Sequence, residues 1–92
     1  MADLLTDNQI TSHLKTMPGW SLLGKEIHRT FERKDFVAAM GFVTQVAIIA
    51  ERADHHPDID IRWNKVTITL STHSAGGITA KDFTLAQEID EL

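Results

Sequence analysis

The 92-residue sequence contains no cysteine. That removes disulfide frameworks, thiolate metal sites and cysteine nucleophiles together, and it suits a reducing, cytoplasmic setting. No run of Lys or Arg occurs. With 9 Lys and Arg against 13 Asp and Glu the formal net charge is −4, so the electrostatic footprint of a DNA- or RNA-binding surface is missing. No apolar run reaches the ~18 residues of a membrane span, because Thr44, Gln45 and Glu51 interrupt the longest one. The start, Met1-Ala2-Asp3-Leu4-Leu5, lacks the basic and apolar regions of a secretory leader. What remains is ordinary globular composition, 42% hydrophobic and 24% charged, which argues against disorder. One domain over residues 1–92 is expected at this length. Such a chain buries about 60–65% of its unfolded surface, a modest core that oligomerisation would supplement.

Thr6-Asp7-Asn8-Gln9 has the form of a capping box. Ile10, Leu14 and Met17 then fall on one helical face, and Pro18-Gly19 stops that helix. Trp20 to Leu23 reads as a short strand, and Gly24-Lys25 as a turn into Glu26–Glu32. There Ile27, Arg29 and Phe31 alternate with His28, Thr30 and Glu32, the pattern of a strand with one wet face. Asp35 can cap the next element. Phe36 to Ala53 is the longest helix candidate. Phe36, Met40, Val43, Val46, Ala47 and Ala50 form one broad stripe, while Val37, Phe42, Ile48 and Ile49 fall outside it. A helix apolar on more than one side is buried on more than one side. This one is expected to pack on its own sheet and on another subunit.

His56-Pro57 should end that helix, since a residue before proline is pushed out of the α region. Ile59, Ile61 and Trp63 alternate with polar residues, Asn64-Lys65 is turn-like, and Val66, Ile68 and Leu70 alternate with Thr67, Thr69 and Ser71. This is a second hairpin. A loop, Thr72 to Gly77, leads to a last helix opened by Thr79-Ala80-Lys81-Asp82, with Phe83, Ala86 and Ile89 on its apolar face beside Leu85. The expected order is helix-strand-strand-helix-strand-strand-helix. That is an α+β fold, a four-stranded antiparallel sheet with three helices on one face.

Three of the five histidines stand at the junctions of these elements, in Glu51-Arg52-Ala53-Asp54-His55-His56-Pro57 and at His73. Hairpin geometry brings the strand end before His73 back beside the His-His pair. If the helix runs through Asp54, Glu51 and His55 share a face; the carboxylate can then hold the imidazole's tautomer and favour its charged form. Asp82 lies near the same end. Three imidazoles and two carboxylates suit general acid–base chemistry near neutral pH. Two alternatives stand beside this. Three histidines can bind zinc, helped by Asp54, Asp58 or Asp60, although adjacent histidines make poor chelators and no helical His-x-x-x-His is present. The histidines can also simply cap a helix or pair with carboxylates. His13, on a helix, and His28, on a polar strand face, are read as structural or solvated.

Glu51-x-x-x-His55-His56-Pro57, Trp63-Asn64-Lys65-Val66, Leu70-Ser71-Thr72-His73, Gly77-x-Thr79-x-x-Asp82 and Leu85-Ala86 together resemble the pterin-4a-carbinolamine dehydratase family, from about Trp20 to the C-terminus. The resemblance implies the same four-stranded, three-helix fold and a lyase activity. That activity is dehydration of 4a-hydroxytetrahydropterin (4a-hydroxytetrahydrobiopterin as substrate) to quinonoid dihydropterin, which recycles the cofactor of aromatic amino-acid hydroxylases. It implies no metal or organic cofactor. It assigns acid–base roles to His55 and His73, pterin holding to His56, support to Glu51 and Asp82, and a looser place near the pocket to Trp20. It implies a homo-oligomer, dimer or tetramer. Animal relatives also act as dimerisation cofactors of a homeodomain transcription factor, which makes a protein-binding module built on residues 36–53 the competing reading.

Overall fold

Two β-hairpins pair through their inner strands. The computed structural model describes residues 3–92; Met1 and Ala2, part of the leader reading above, lie outside the described residues. The elements are α1 (Asp7–Lys15), β1 (Ser21–Leu23), β2 (Glu26–Glu32), α2 (Phe36–Ala53), β3 (Asp58–Arg62), β4 (Lys65–Leu70) and α3 (Ala80–Asp90), with a short 3₁₀ turn at His73–Ala75. The sheet is antiparallel throughout, in the order β1-β2-β4-β3.

The register explains which face is covered. Ile27 lies opposite Leu70, Phe31 opposite Val66, and Ile59 opposite Ile68. These side chains share one face, and Ile27, Val66, Ile68 and Leu70 have no exposed surface. At ~1.5–3 kcal/mol for each fully buried side chain of this size, they are the floor of the core. Ala39, Phe42, Val46 and Ala50 of α2 and Phe83, Leu85, Ala86 and Ile89 of α3 close it from above, with Ile10 of α1 at one side. The opposite face stays polar. Thr30 and Thr67 share a hydroxyl hydrogen bond of 2.8 Å across the strands there.

The caps lie where the sequence puts them. Thr6 and Gln9 form the capping box of α1, Asp35 accepts from the Ala38 N–H at the start of α2, and Thr79 with Asp82 forms the capping box of α3. Gly24, at φ 60, supplies the left-handed turn between β1 and β2. Two boundaries shift. α1 ends at Lys15, before Met17 and Pro18, when Thr16 turns its hydroxyl onto the His13 carbonyl. The second hairpin turns at Trp63-Asn64 rather than Asn64-Lys65, with Trp63 at φ 54. α2 spans Phe36–Ala53 as expected and does not run on through Asp54 to His55.

α2 corrects its expected stripe. The buried positions are Ala39, Phe42, Val46 and Ala50, while Phe36, Met40 and Ala47 face outward. Counting large side chains favours Phe36 and Met40; close packing on the sheet instead selects the small Ala39 and Ala50, which let the helix approach. The second apolar side is real. Phe36 is 51% exposed, Val37 80% and Ile48 61%. The helix also differs from the expectation on apolar runs. At 18 residues and a mean hydropathy of 1.4 it is long and apolar enough to cross a membrane by length and composition, although its inner stripe is seated on the sheet.

Candidate active site

Asp54 determines where the histidines point. It adopts φ 50, ψ 42, the left-handed conformation that closes a helix. Its N–H donates to the Glu51 carbonyl at 3.1 Å, and the His55 N–H reaches back to the Ala50 carbonyl at 3.1 Å. This paired closure satisfies the last carbonyls of α2 and swings the chain off the helix axis before Pro57. His55 therefore does not sit one turn above Glu51, as a helix through Asp54 would require.

The ion pairs are exchanged relative to that expectation. His55 Nε2 lies 2.6 Å from Asp82 Oδ1, and His56 Nε2 lies 2.7 Å from Glu51 Oε1. The first pair is sheltered, with the His55 side chain 12% exposed and Asp82 fully buried. The second is open to water. Asp82 is held on its other oxygen as well: Oδ2 accepts the Thr79 N–H at 2.9 Å and the Thr72 hydroxyl at 2.9 Å. Ringed by donors, the carboxylate accepts from His55, so the imidazole carries its proton on Nε2. Nδ1 has no hydrogen-bond partner among the described residues.

β3 and β4 bring the third histidine in. Asp58 lies opposite Thr69; two residues beyond each, the chain passes His56 on one side and Ser71 on the other. His73 then opens the 3₁₀ turn. His55, His56 and His73 thus border one polar cavity of about 460 Å³, within the size range of small-ligand sites. A smaller cavity of about 280 Å³ lies on the other side of His55, between the end of α2 and the start of α3, against Ala53, Ala80 and Leu85.

Of the residues singled out in the sequence, His55, His56, His73 and, through His55, Asp82 come together. Glu51 reaches the group through His56. Trp20 does not join it. Its indole is 3% exposed, edge-on to Phe31, and donates to both Asp90 carboxylate oxygens at 3.0 Å. Asp90 ends α3 whereas Asp82 lies in its first turn, so Trp20 belongs to the far end of the core. Arg29 ties down the same Asp90 at 2.9 Å. It crosses so close to Gly19 that a Cβ there would stand 2.5 Å from its guanidinium carbon. His13 stacks on Phe83 at 4.5 Å, and His28 lies in β2; neither borders the cavity.

Further residues line the cavities: Lys81, which was missed, borders both, and Ser71, Thr72 and Ser74 line the polar one. The signal for Lys81 was its place in the same helical turn as Asp82. Among the described residues no three His, Asp or Glu side chains converge as metal ligands; the carboxylates are paired off with separate imidazoles instead.

The profile of the family described as pterin 4 alpha carbinolamine dehydratase matches residues 3–92. The chain belongs to that family. Two relatives that bear the dehydratase's name are similar over nearly their whole length. One, from Roseiflexus castenholzii, is 55% identical over 92 residues, covering 100% of this chain and 99% of the relative. The other, from Nocardia farcinica, is 57% identical over 90 residues, covering 98% and 95%. A solved transcriptional coactivator/pterin dehydratase from Brucella melitensis superposes with a TM-score of 0.92 at 36% identity over 97% of each chain. A pterin dehydratase-like protein identified as a RuBisCO assembly factor in the alpha-carboxysome shares the fold, with a TM-score of 0.68 at 22% identity over 79% of this chain and 87% of that one. The dehydratase family's fold, a four-stranded antiparallel sheet with three helices, is the one described above.

Proposed function

We propose that this chain is a 4a-hydroxytetrahydrobiopterin dehydratase, converting the pterin-4a-carbinolamine to quinonoid dihydropterin by histidine acid–base catalysis. The observation that carries this reading is the convergence of His55, His56 and His73 on one polar cavity, with His55 backed by the buried Asp82. Loss of the 4a-hydroxyl needs a proton on a poor leaving group. The hydroxyl departs as water, the ring nitrogen's electron pair forms the carbon–nitrogen double bond, and a ring N–H proton is released. A protonated imidazole supplies the first proton and a neutral imidazole or water takes the second. His55 is the main acid, with His73 acting on the opposite epimer. His56, oriented by Glu51, holds the pterin. No metal or organic cofactor enters the reaction. The product serves the recycling of a hydroxylase's pterin cofactor, in the cytoplasm.

The test is a stopped-flow assay of enzymatically generated carbinolamine in mildly alkaline buffer, where the uncatalysed dehydration is slow, with and without EDTA. Acceleration that survives EDTA and vanishes in a His55→Ala, His73→Ala double variant supports the reading. No acceleration by the wild type overturns it.

The exposed apolar side of α2 favours a second statement. Phe36, Val37, Met40 and Ile48 are large apolar side chains left exposed along one helix, and apolar groups gathered on a surface mark interaction sites. The occupant of this surface is a second copy of this chain, giving a dimer or tetramer. The competing reading gives that surface to another protein; the similar Brucella melitensis protein is described as a transcriptional coactivator as well as a pterin dehydratase. Light scattering separates them, because a stable homo-oligomer occupies the face and a monomer leaves it open.

A further inference from the structure

Thr72 touches the supports of both proposed acid–base histidines. It is 4% exposed and immediately precedes His73. Its backbone closes the loop that carries His73. The Thr72 N–H donates to the Gly77 carbonyl at 2.8 Å, and its own carbonyl accepts the Ala75 and Gly76 N–H groups, each at 3.0 Å. Its side chain serves the other histidine. The hydroxyl donates to Asp82 Oδ2 at 2.9 Å, and Asp82 Oδ1 takes His55 Nε2.

The direction of these bonds is fixed by counting protons. A hydroxyl has one proton to give, and a carboxylate only accepts. The Thr72 proton therefore points to Asp82. The 2.7 Å bond between the Thr72 and Thr79 hydroxyls must then be donated by Thr79. Thr79 Oγ1 in turn accepts the Lys81 N–H at 3.3 Å. Every donor in this buried chain runs toward Asp82. Without the Thr72 hydroxyl, Oδ2 keeps the Thr79 N–H alone. The Thr79 hydroxyl proton loses its acceptor in a buried place, a costly condition. That proton would turn to Asp82 and draw the carboxylate off its line to His55.

We infer that Thr72 is a positioning residue that couples the two histidines, its hydroxyl aiming Asp82 so that neutral His55 keeps its proton on Nε2 and presents Nδ1, its backbone bracing the His73 loop. The effect on turnover rests on the dehydratase reading; the tautomer is a property of the resting protein and does not.

The experiment uses the whole protein, labelled with ¹⁵N at histidine. NMR reads the ring-nitrogen shifts of His55 and His73 when both are neutral, in wild type, Thr72→Val and Thr72→Ser. Valine keeps the shape and every backbone bond and deletes only the hydroxyl. Wild-type His55 is expected in the Nε2–H form. In Thr72→Val it becomes a mixture of both tautomers while His73 keeps its shifts, and Thr72→Ser restores the wild-type state. With carbinolamine as substrate, Thr72→Val lowers kcat about tenfold to a hundredfold, less than the roughly 10²–10⁴-fold of a lost general acid, with KM within about twofold. Thr72→Ser recovers most of the rate. Wild-type His55 protonated on Nδ1, or unaltered His55 shifts in Thr72→Val, overturns the inference whatever the turnover. Should Thr72→Val not fold, Thr72→Ala, which also lacks the hydroxyl, is read in the same way. The expected tautomer change in Thr72→Val, beside a wild type with no dehydratase activity, sinks the functional reading and upholds this one.

Discussion

Asp82 Oδ1 meets His55 Nε2 at 2.6 Å across the junction of α2 and α3, while Glu51, four residues before His55, pairs with His56 at 2.7 Å. The two carboxylates thereby do different work. Asp82 is a buried anchor that also caps α3 through the Thr79 N–H. Glu51 is a surface partner that can let go of His56 without disturbing the fold.

Asp82→Asn tests the anchor. The amide keeps the volume and the place in the cap but can turn its NH₂ toward His55 and reverse the imidazole's tautomer. We expect kcat to fall by about 10²–10⁴-fold, the contribution of one positioned acid–base group, with an unchanged fold by circular dichroism. Asp82→Ala leaves three buried donors without their acceptor. It is expected to cost stability as well, on the order of 3–5 kcal/mol, read as a lower urea midpoint.

Glu51→Ala should behave in the opposite way. The pair with His56 is exposed on both sides, and such pairs contribute about 0–1 kcal/mol. The melting temperature should barely move. The kinetic effect should fall on KM, since His56 loses its orientation while His55 keeps its own. A large fall in kcat at unchanged KM would instead place Glu51 in the proton-transfer step.

His73→Ala separates the two imidazoles. His55 and His73 border the cavity from different elements, one just after α2 and one just after β4. A substrate bound in one plane presents its 4a-hydroxyl to one side or the other according to its configuration. His73→Ala should impair turnover of one epimer more than the other, measured with the two carbinolamines prepared separately. Equal losses for both would remove His73 from that role.

Local chemistry made most of the fold readable. The capping patterns at Thr6, Asp35 and Thr79 and the alternation in Glu26–Glu32 and Lys65–Leu70 are short-range signals, and they survive folding because each satisfies its own backbone. What was not readable depends on tertiary contacts. Helical spacing pairs Glu51 with His55, but the left-handed Asp54 breaks that spacing, and nothing in the composition of the segment announces a left-handed aspartate. The gathering of the three histidines was legible from hairpin geometry. The partner of each was not, because Asp82 reaches His55 only after α3 has docked on α2. Trp20 was misplaced for a similar reason, its indole N–H being claimed by Asp90 from the far end of α3.

The two faces of α2 can be told apart by substitution. Phe42 is 3% exposed and packs on Phe31 with ring centroids 4.8 Å apart. Phe42→Ala should cost about 3–5 kcal/mol, lowering the melting temperature whatever the state of association. Ile48 lies on the outer face at 61% exposure, so Ile48→Glu adds a charge where the isolated subunit is already wet. It should leave the monomer's circular dichroism intact and shift the mass seen by light scattering to that of one chain. The melting curve should lose its dependence on protein concentration, because the stability that association lends by mass action is gone. If the wild type is itself monomeric, Ile48→Glu changes nothing in these measurements. The apolar side of α2 would then be open to a different protein, and the homo-oligomer would have to be given up.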